Sequence, residues 1–224
     1  INNQKYTQLT TKVEVICIID GNYEDLEYVK SWEKGNKNML KIEIRTIFLK
    51  NNIGSGHARY LGFQKCTGEF ITFIDDDDIW HEEKLETQIK WHISNPTRIL
   101  SSHFYSNGID YMNKRMKILK EVSFNNLLIG GVRIATPTIM IRRKIWPFQP
   151  EKQRFCEDWL MVIMVASIQK IYVIPKLLAY RSIDAEPIFK DKSSLSNKKI
   201  RVRCGKVKAL YILYKRDKLN LLNL

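Results

Sequence analysis

The sequence predicts an α/β fold in which strands and helices alternate along one domain. Apolar runs rich in β-branched and aromatic residues, typical of buried strands, are separated by segments with the apolar spacing of helices. Two predicted strands end in aspartates, at Asp20 and at Asp75–Asp78. In open α/β sheets ligands bind beyond the carboxyl ends of the strands, so both acidic ends are expected to face a binding site. The 224 residues are enough for one domain of ordinary size.

Hydrophobic spacing and turn residues define the predicted elements. Glu157–Ser167 is apolar on nearly all sides after its first turn, which predicts a buried helix. Pro137 lies inside one predicted strand, Ile134–Ile141, which is either continuous or broken at the proline, and Pro175 separates two short predicted strands. The predicted strands are Val13–Ile19, Ile42–Leu49, Phe70–Ile74, Ile99–Tyr105, Met112–Leu119, Ile134–Ile141, Ile171–Ile174 and Leu177–Tyr180. The predicted helices are Glu24–Lys34, His57–Cys66, Glu82–His92, Ser123–Ile129, Glu157–Ser167 and Lys198–Tyr214.

Four carboxylates, Asp75–Asp78, follow the predicted strand Phe70–Ile74 without a spacer. Adjacent negative charges repel one another, and a hard divalent cation, which prefers oxygen ligands, is the usual compensation. The apolar strand before the run, and Ile79 and Trp80 after it, favour a metal site over a solvated acidic turn. The four aspartates also argue against binding to nucleic acid, because its phosphates are negative.

A turn rich in Asn and Gly, Asn51–Gly56, precedes the predicted helix His57–Cys66. Glycines allow close backbone approach and a helix N-terminus attracts phosphate, while an ordinary strand-to-helix turn has the same composition. Arg59 lies in the first turn of the helix, where its guanidinium is placed to reach an anion.

The net charge of +13 is concentrated near the end of the chain. From Lys190 onward there are eleven Lys or Arg and two Asp, a local charge of +9. This concentration argues against a whole surface that binds nucleic acid. The sequence contains no run of 18 apolar residues, so no transmembrane helix is predicted. The four Cys form no CxxC pair. A reducing cytoplasm is therefore the expected compartment.

The last predicted helix, Lys198–Tyr214, is basic and amphipathic. Two interpretations stay open: either the apolar stripe docks on the domain and the lysines face solvent, or the helix lies on an anionic membrane surface. The apolar stripe is formed by Ile200, Cys204, Val207, Tyr211 and Tyr214.

A set of short motifs follows one another along the chain. They are Ile19-Asp20-Gly21, Asn52-Ile53-Gly54, Ala58-Arg59, Gly68-Glu69-Phe70-Ile71, Asp75–Asp78 with Ile79-Trp80, Lys84-Leu85, Thr138-Ile139-Met140 and Glu157-Asp158-Trp159. In this order the motifs resemble those of family 2 glycosyltransferases of the GT-A fold. The likeness covers about residues 1–185 and implies a Rossmann-like, mostly parallel central sheet flanked by helices, followed here by a basic C-terminal helix. It implies a nucleotide-sugar-binding half at 1–110, an acceptor-binding half at 111–185, and a mobile loop with the basic helix at 186–224.

The resemblance implies a role for each matching residue. Asp158 would be the catalytic base, which takes the proton from the acceptor hydroxyl. Asp77, with Asp75, would bind Mn²⁺ or Mg²⁺, which stabilises the departing diphosphate. The donor-binding residues would be Asp20, Arg59, Asp75, Asp76 and Arg181. The residues on the acceptor side would be Thr138, Glu157 and Trp159.

The implied activity is inverting transfer of a hexose or N-acetylhexosamine from a nucleotide-diphosphate sugar, commonly a UDP-sugar. The acceptor would be a glycan or a lipid-linked glycan in the synthesis of surface polysaccharide such as lipopolysaccharide or capsule. The enzyme would act in the cytoplasm, at the inner face of the plasma membrane if the basic tail binds lipid. A direct displacement needs no covalent nucleophile, which agrees with four scattered histidines, at His57, His81, His92 and His103.

The chain departs from the family pattern mainly on the donor side. Members usually open with a strand and a Pro-Thr-Tyr-Asn-like segment, and Ile1–Tyr6 resembles only the end of the helix that follows. The expectation is either an incomplete chain or compromised donor binding. Tyr60 and Ile183 also replace a common Asn and His. Two alternatives stay open: a degenerate module that binds glycans or partners without catalysis, and a sugar nucleotidyltransferase, which would want a glycine-rich basic loop at the first strand.

Overall fold

The computed structural model describes residues 4, 12–36, 43–106, 120–129, 131–145, 155–182 and 199–215. The predicted strand Met112–Leu119 lies outside these residues. The strands are β1 (Glu14–Asp20), β2 (Glu43–Leu49), β3 (Phe70–Thr72), β4 (Asp78–Trp80), β5 (Leu100–Ser106), β6 (Glu121–Val122), β7 (Met140–Arg142) and β8 (Ile171–Arg181). The helices are α1 (Tyr23–Asn36), α2 (Ser55–Lys65), α3 (Lys84–Ser94), α4 (Phe124–Leu128), α5 (Glu157–Ala166) and α6 (Lys199–Lys215).

Within the described residues the strands form two sheets. β1 pairs in parallel with β2 along its whole length, from Glu14 to Asp20. The larger sheet has the order β3-β7-β5-β8-β4, and β6 pairs with β8. In this sheet β5 and β8 are parallel, whereas the other pairs are antiparallel. The predicted α/β class is therefore confirmed, but the sheet is mixed rather than mostly parallel, because β4, β6 and β7 run against their neighbours.

The two proline-containing segments behave differently. Thr136–Thr138 forms a 3-10 turn and only Met140–Arg142 pairs in the sheet, which agrees with the alternative of a strand broken at Pro137. Pro175, by contrast, does not divide β8, which is continuous. The register with β5 shifts there, because His103 pairs with Ile174 and Phe104 with Leu177. Proline has no N–H to donate, and the irregular register removes the need for one.

The main core lies between the larger sheet and helices α5 and α6. Leu160 to Ala166 of α5 are all buried, as the apolar sequence of this helix predicted. This burial fixes the first turn of α5, which carries Glu157 and Asp158, against the body of the protein.

The helix α6 packs on the domain through a different face from the predicted stripe. Its buried residues are Gly205, Ala209, Ile212 and Leu213. A Cβ atom at Gly205 would lie 2.6 Å from the carbonyl oxygen of Phe155, so the absence of a side chain there allows close packing. Of the two interpretations that the sequence leaves open, the one in which the large apolar stripe docks on the domain is therefore wrong.

A cavity of about 1290 Å³ lies between β1 and β3. Apolar side chains such as Ile16, Ile18 and Ile71 line it, and Ile19 is the buried residue of β1. The two strands are linked at their amino ends, where the Glu14 carboxylate accepts a hydrogen bond from the backbone N–H of Gly68 at 2.8 Å. Side chains rather than a strand ladder therefore connect these two strands within the described residues.

Candidate active site

Asp20 lies at the carboxyl end of β1, as predicted, and its carboxylate meets the start of α2. It accepts hydrogen bonds from the backbone N–H groups of Ile53 at 2.7 Å and Gly54 at 2.8 Å. Gly54 has a φ of 92°, a left-handed conformation that favours glycine, and this turns its N–H toward the acid. A carboxylate at the N-terminus of a helix is also stabilised by the helix dipole. Asp20 therefore anchors the glycine turn in addition to any contact with a donor.

Arg59 forms the centre of the site. Its Nη2 atom donates to both oxygens of Asp75, at 2.8 and 3.0 Å, and its Nη1 atom donates to Glu157 Oε1 at 3.2 Å. Burial lowers the pKa of Arg59, but the ion pairs with Asp75 and Glu157 outweigh burial and raise it above its usual value. Arg59 therefore stays charged and holds one acid from each half of the chain.

Glu157 is buried beside the N-terminus of α2. Ser55 donates its hydroxyl to the same carboxylate oxygen that Arg59 contacts. A Cβ atom at Gly56 would lie 2.5 Å from Glu157 Cγ, so the glycine makes room for this acid. Burial and the neighbouring Asp158 raise the pKa of Glu157, although the contacts from Ser55 and Arg59 oppose the rise.

The four aspartates form a turn with graded exposure. The backbone N–H of Asp78 donates to the carbonyl of Asp75 at 3.1 Å, which closes the turn, and Asp76 is exposed. Asp77 pairs with Arg181 Nη1 at 2.9 Å. Asp78 begins β4 and accepts a hydrogen bond from the Tyr105 hydroxyl at 2.5 Å. The turn therefore points its carboxylates in different directions rather than presenting four equivalent ligands.

The acidic turn fits a divalent cation that is shared with a ligand. Among the described residues, no three His, Cys, Asp or Glu side chains are grouped so that they could hold a metal by themselves. Mg²⁺, however, commonly takes only one or two carboxylates from protein and completes its shell with phosphates and water. Burial raises the pKa of Asp77, Arg181 lowers it, and Asp76 and Asp75 raise it again, with a net rise. A cation at Asp77 and Asp75 would relieve this repulsion.

Asp158 lies in the first turn of α5 beside Glu157 and is partly buried. Its Oδ1 atom accepts a hydrogen bond from the backbone N–H of Trp159 at 2.7 Å. Asp158 and Trp159 line a second cavity, of about 220 Å³, together with Lys206 of α6. Cys156, just before the helix, has a φ of 59°, which is uncommon for a residue other than glycine. Burial and Asp158 raise the pKa of its thiol, which therefore remains protonated.

Thr138 is buried in the core and lines neither of the two cavities described above. Its hydroxyl donates to the carbonyl of Ala135 at 2.7 Å and bonds Ser102 Oγ at 2.7 Å. The carbonyl of Thr138 accepts from Gln88 Nε2 at 3.0 Å, and Gln88 in turn accepts from Lys84 Nζ at 2.7 Å. The structure thus gives Thr138 a place in a buried polar network, and any effect on an acceptor passes through its neighbours.

Three contributors were not foreseen from the sequence. Ser55 holds Glu157, Tyr105 holds Asp78, and Lys206 lines the cavity at Asp158. Ser55 carried a local signal, since it stands inside the glycine turn at the start of a helix. Tyr105 and Lys206 carried none, because their contacts depend on the packing of distant elements.

The fold places acids and arginines at the strand ends and beside the glycine turn. The chain belongs to glycosyl transferase family 2, whose family model matches residues 2–170. It is 31% identical over 172 residues to an uncharacterized glycosyltransferase of Rickettsia bellii, which covers 74% of this chain and 24% of that protein. The chain therefore spans about a quarter of the length of this relative.

Two other relatives have names that state a product or the substrates. The amylovoran biosynthesis glycosyltransferase AmsE of Erwinia amylovora is 29% identical over 106 residues, 47% of this chain and 38% of that protein. The UDP-Glc:alpha-D-GlcNAc-diphosphoundecaprenol beta-1,3-glucosyltransferase WfgD of Escherichia coli is 24% identical over 122 residues, 53% of this chain and 47% of that protein.

Solved structures confirm the GT-A fold. The mannosyltransferase PcManGT from Pyrobaculum calidifontis, in complex with GDP-Man and Mn²⁺, has a TM-score of 0.66 at 14% identity and covers 95% of this chain and 57% of its own. S. aureus TarS 1-349 in complex with UDP-GlcNAc has a TM-score of 0.64 at 20% identity, over 83% of this chain and 53% of its own. At these identities the likeness concerns the fold. No helix in the described ranges is long and apolar enough to span a membrane.

Proposed function

We propose that this chain transfers a hexose or N-acetylhexosamine from a UDP-sugar to a glycan or lipid-linked acceptor, with inversion, in the synthesis of a cell-surface polysaccharide. The observation that carries the proposal is the bridge made by Arg59, which contacts Asp75 of the acidic turn and Glu157 of α5. It brings the donor-side acids and the Glu-Asp-Trp segment around a single cationic group. The relative WfgD, whose name states a UDP-Glc donor and a diphosphoundecaprenol-linked acceptor, supports the same substrate classes.

The donor side would neutralise a diphosphate. Asp77 and Asp75 would hold Mn²⁺ or Mg²⁺, which offsets the charge that develops on the departing diphosphate. Arg59 and Arg181 lie beside these acids and supply fixed positive charge at the same place. Asp20 and the exposed Asp76 are the candidates for contacts to the nucleoside and the sugar.

The acceptor side would remove one proton. Asp158 accepts the proton of the acceptor hydroxyl, whose oxygen attacks the anomeric carbon from the face opposite the diphosphate. Trp159 orients the Asp158 carboxylate through its backbone N–H. Glu157 already accepts hydrogen bonds from Arg59 and Ser55, so it would hold these two side chains in place and would not take the proton. The protonated thiol of Cys156 agrees with a displacement that needs no covalent nucleophile.

One observation favours a second candidate, a binding module without catalysis. Asp75 and Asp77, the proposed metal ligands, are already paired with Arg59 and Arg181. If these ion pairs persist with a donor present, the acids have less capacity for a cation. The dependence of donor binding on metal therefore separates the two candidates.

Calorimetric titration with UDP, with and without Mn²⁺, tests the donor side. In the wild type we expect Mn²⁺ to strengthen UDP binding at least tenfold, a gain of about 1.4 kcal/mol. In Asp77→Asn we expect Mn²⁺ to leave UDP binding unchanged. Glu27→Gln, which removes one exposed acid from α1, is the matched control and should retain the effect. UDP binding that is indifferent to Mn²⁺ in the wild type would refute metal-dependent transfer.

Asp158→Asn tests the acceptor side. The variant should bind UDP as the wild type does and lose sugar transfer by roughly 10² or more, the usual contribution of a general base. Transfer is measured from a labelled UDP-sugar to membrane lipid extracts. An Asp158→Asn variant that transfers sugar at the wild-type rate would contradict the assignment of the base.

A further inference from the structure

The outer face of α6 presents large apolar side chains to solvent. Ile200 is 77% exposed, Val207 66%, Tyr211 57% and Tyr214 51%. On a helix with 3.6 residues per turn these four positions fall within an arc of about 60°. They form a continuous stripe about 21 Å long, at 1.5 Å per residue from Ile200 to Tyr214. A single exposed apolar residue needs no explanation, but an aligned set marks an interaction surface.

The packing of α6 fixes the direction of this stripe. Gly205 and Ala209 are buried on the opposite face, together with Ile212 and Leu213. The carbonyl oxygen of Phe155 lies so close to Gly205 that a side chain on that face would clash. The helix cannot be rotated to bury the stripe without losing this close contact and exposing two large apolar residues.

Positive charge borders the stripe on both sides. Arg203 lies on one side, and Lys208 and Lys215 lie on the other, by the same helical spacing. All three side chains are exposed. Across its whole length α6 carries six Lys or Arg and no Asp or Glu. A cationic border around an apolar stripe complements a surface that is anionic at the outside and apolar beneath.

We infer that the outer face of α6 binds the surface of a bilayer that contains anionic lipid. Apolar and tyrosine side chains would enter the boundary between headgroups and acyl chains, and the flanking cations would meet lipid phosphates. Tyrosine is enriched at this boundary because its ring is apolar and its hydroxyl is polar. A second copy of the chain is a poorer match, since a symmetric contact through this face would bring two cationic borders together.

The helix α6 lies next to the cavity that Asp158 lines, so a membrane contact of α6 would bear on that cavity. Lys206 lies over the ring of Trp159, 5.6 Å from its centre, and lines the same cavity as Asp158. A bilayer bound at the outer face of α6 would therefore place this cavity close to the headgroup level. Binding to lipid does not depend on the proposed transferase activity, and it is measured without donor or acceptor.

Sedimentation of the full chain with vesicles tests the inference. Phosphatidylcholine vesicles with 30% phosphatidylglycerol are compared with phosphatidylcholine alone. We expect strong preference for the anionic vesicles, reduced in high salt because exposed charges are screened. The variant Arg203→Gln/Lys208→Gln/Lys215→Gln should bind about 100-fold more weakly, at roughly fivefold for each basic residue near the surface.

Two further variants make the result specific. Val207→Ser/Tyr211→Ser keeps every charge and should weaken binding roughly tenfold or more, because less apolar area enters the boundary. The triple change Lys34→Gln/Lys50→Gln/Lys65→Gln removes as much charge from exposed positions outside α6 and should change binding less than threefold. Circular dichroism melts confirm that each variant is folded.

Several outcomes would overturn the inference. Equal binding to neutral and anionic vesicles is one, and equal losses in the α6 variant and the charge-matched control are another. A third is an unchanged affinity of Val207→Ser/Tyr211→Ser for anionic vesicles. If light scattering instead shows a dimer that this double variant dissociates, then the stripe is a protein interface and the assignment to lipid is wrong.

Discussion

Removal of the Arg59 guanidinium, in Arg59→Met, should destabilise the protein through Glu157. The Glu157 side chain is 9% exposed and that of Arg59 is 19% exposed, so the variant would leave a buried carboxylate without its cation. Breaking a buried ion pair from one side costs about 3–5 kcal/mol, and the remaining contact from Ser55 favours the lower end of that range. We therefore expect a loss of about 3 kcal/mol at pH 7, or ~6–12 °C in Tm for a domain of this size.

The destabilisation caused by Arg59→Met should depend on pH, because Glu157 can take up a proton. Burial already raises the pKa of Glu157, and loss of Arg59 would raise it further. A group with a raised pKa in the folded state is favourable below its unfolded pKa and loses that advantage as the pH rises through the folded pKa. The destabilisation of Arg59→Met should therefore shrink when the pH falls from 7 to 5, where Glu157 can take up a proton.

A double-mutant cycle with urea unfolding measures the pair. Arg59→Met/Glu157→Gln should be more stable than the sum of the single variants predicts, with a coupling of about 2 kcal/mol, because no buried charge remains. Arg98→Met, whose partner Glu121 is 2.9 Å away and about one third exposed like Arg98 itself, is the matched control and should lose at most about 1 kcal/mol. Additive single effects, or a loss that is the same at pH 5 and pH 7, would refute this account of Arg59.

Three further predictions concern stability alone. Burial lowers the pKa of His92 to about 4, so the free energy of unfolding of the wild type should fall between pH 6.5 and pH 4. In His92→Phe this fall, measured by urea unfolding at the two pH values, should be smaller by roughly 3 kcal/mol. Gly56→Ala should cost about 1–3 kcal/mol, because its Cβ would overlap Glu157, whereas Gly62→Ala, whose nearest neighbour is 3.6 Å away, should be neutral or stabilising in a denaturant titration. Gly205→Ala should lower Tm in a calorimetric scan, because its Cβ would meet a backbone carbonyl oxygen that cannot move aside; an unchanged Tm would show that α6 is not held by this contact.

Local patterns were enough to locate most elements near the site. The strand β1, the glycine turn and the helix α5 lie within about two residues of their predicted bounds. In each case apolar periodicity or a turn residue marks the element within a short window. The acidic ends at Asp20 and Asp75 followed directly from those strands.

The pairing inside the site could not be predicted in the same way. Nothing near Arg59 in the sequence indicates that its second partner is Glu157, because that contact depends on how α2 and α5 pack. The family resemblance implies only a donor-binding role for Asp20, whereas in the structure its carboxylate also accepts hydrogen bonds from two backbone N–H groups. Long-range contacts of this kind are set by tertiary structure and leave no local pattern.

The sequence predicts the helix α6 but does not predict which of its faces packs on the domain. The stripe of Ile200, Val207 and Tyr211 has the spacing of a buried face, and large apolar residues are the usual signal for one. The domain instead packs against Gly205 and Ala209, because the backbone at Phe155 comes too close for larger side chains. Small residues contribute little hydrophobic signal, so the sequence alone does not indicate that this face packs on the domain.

The division of the strands into two sheets has a consequence for cooperativity. Among the residues that the structure describes, no backbone ladder joins the pair β1–β2 to the larger sheet. Side chains link the pair to its neighbours: Glu14 contacts Gly68, Asp20 contacts Gly54, and Ile18 packs near Gly62 of α2. Such a unit opens at a lower free energy than global unfolding, and the amides of β1 should exchange with solvent faster than those of β5. A ligand that contacted both Asp20 and Asp75 would link the β1–β2 pair to the larger sheet. The rigidity of one half of the site would then be set by its ligand rather than by the fold.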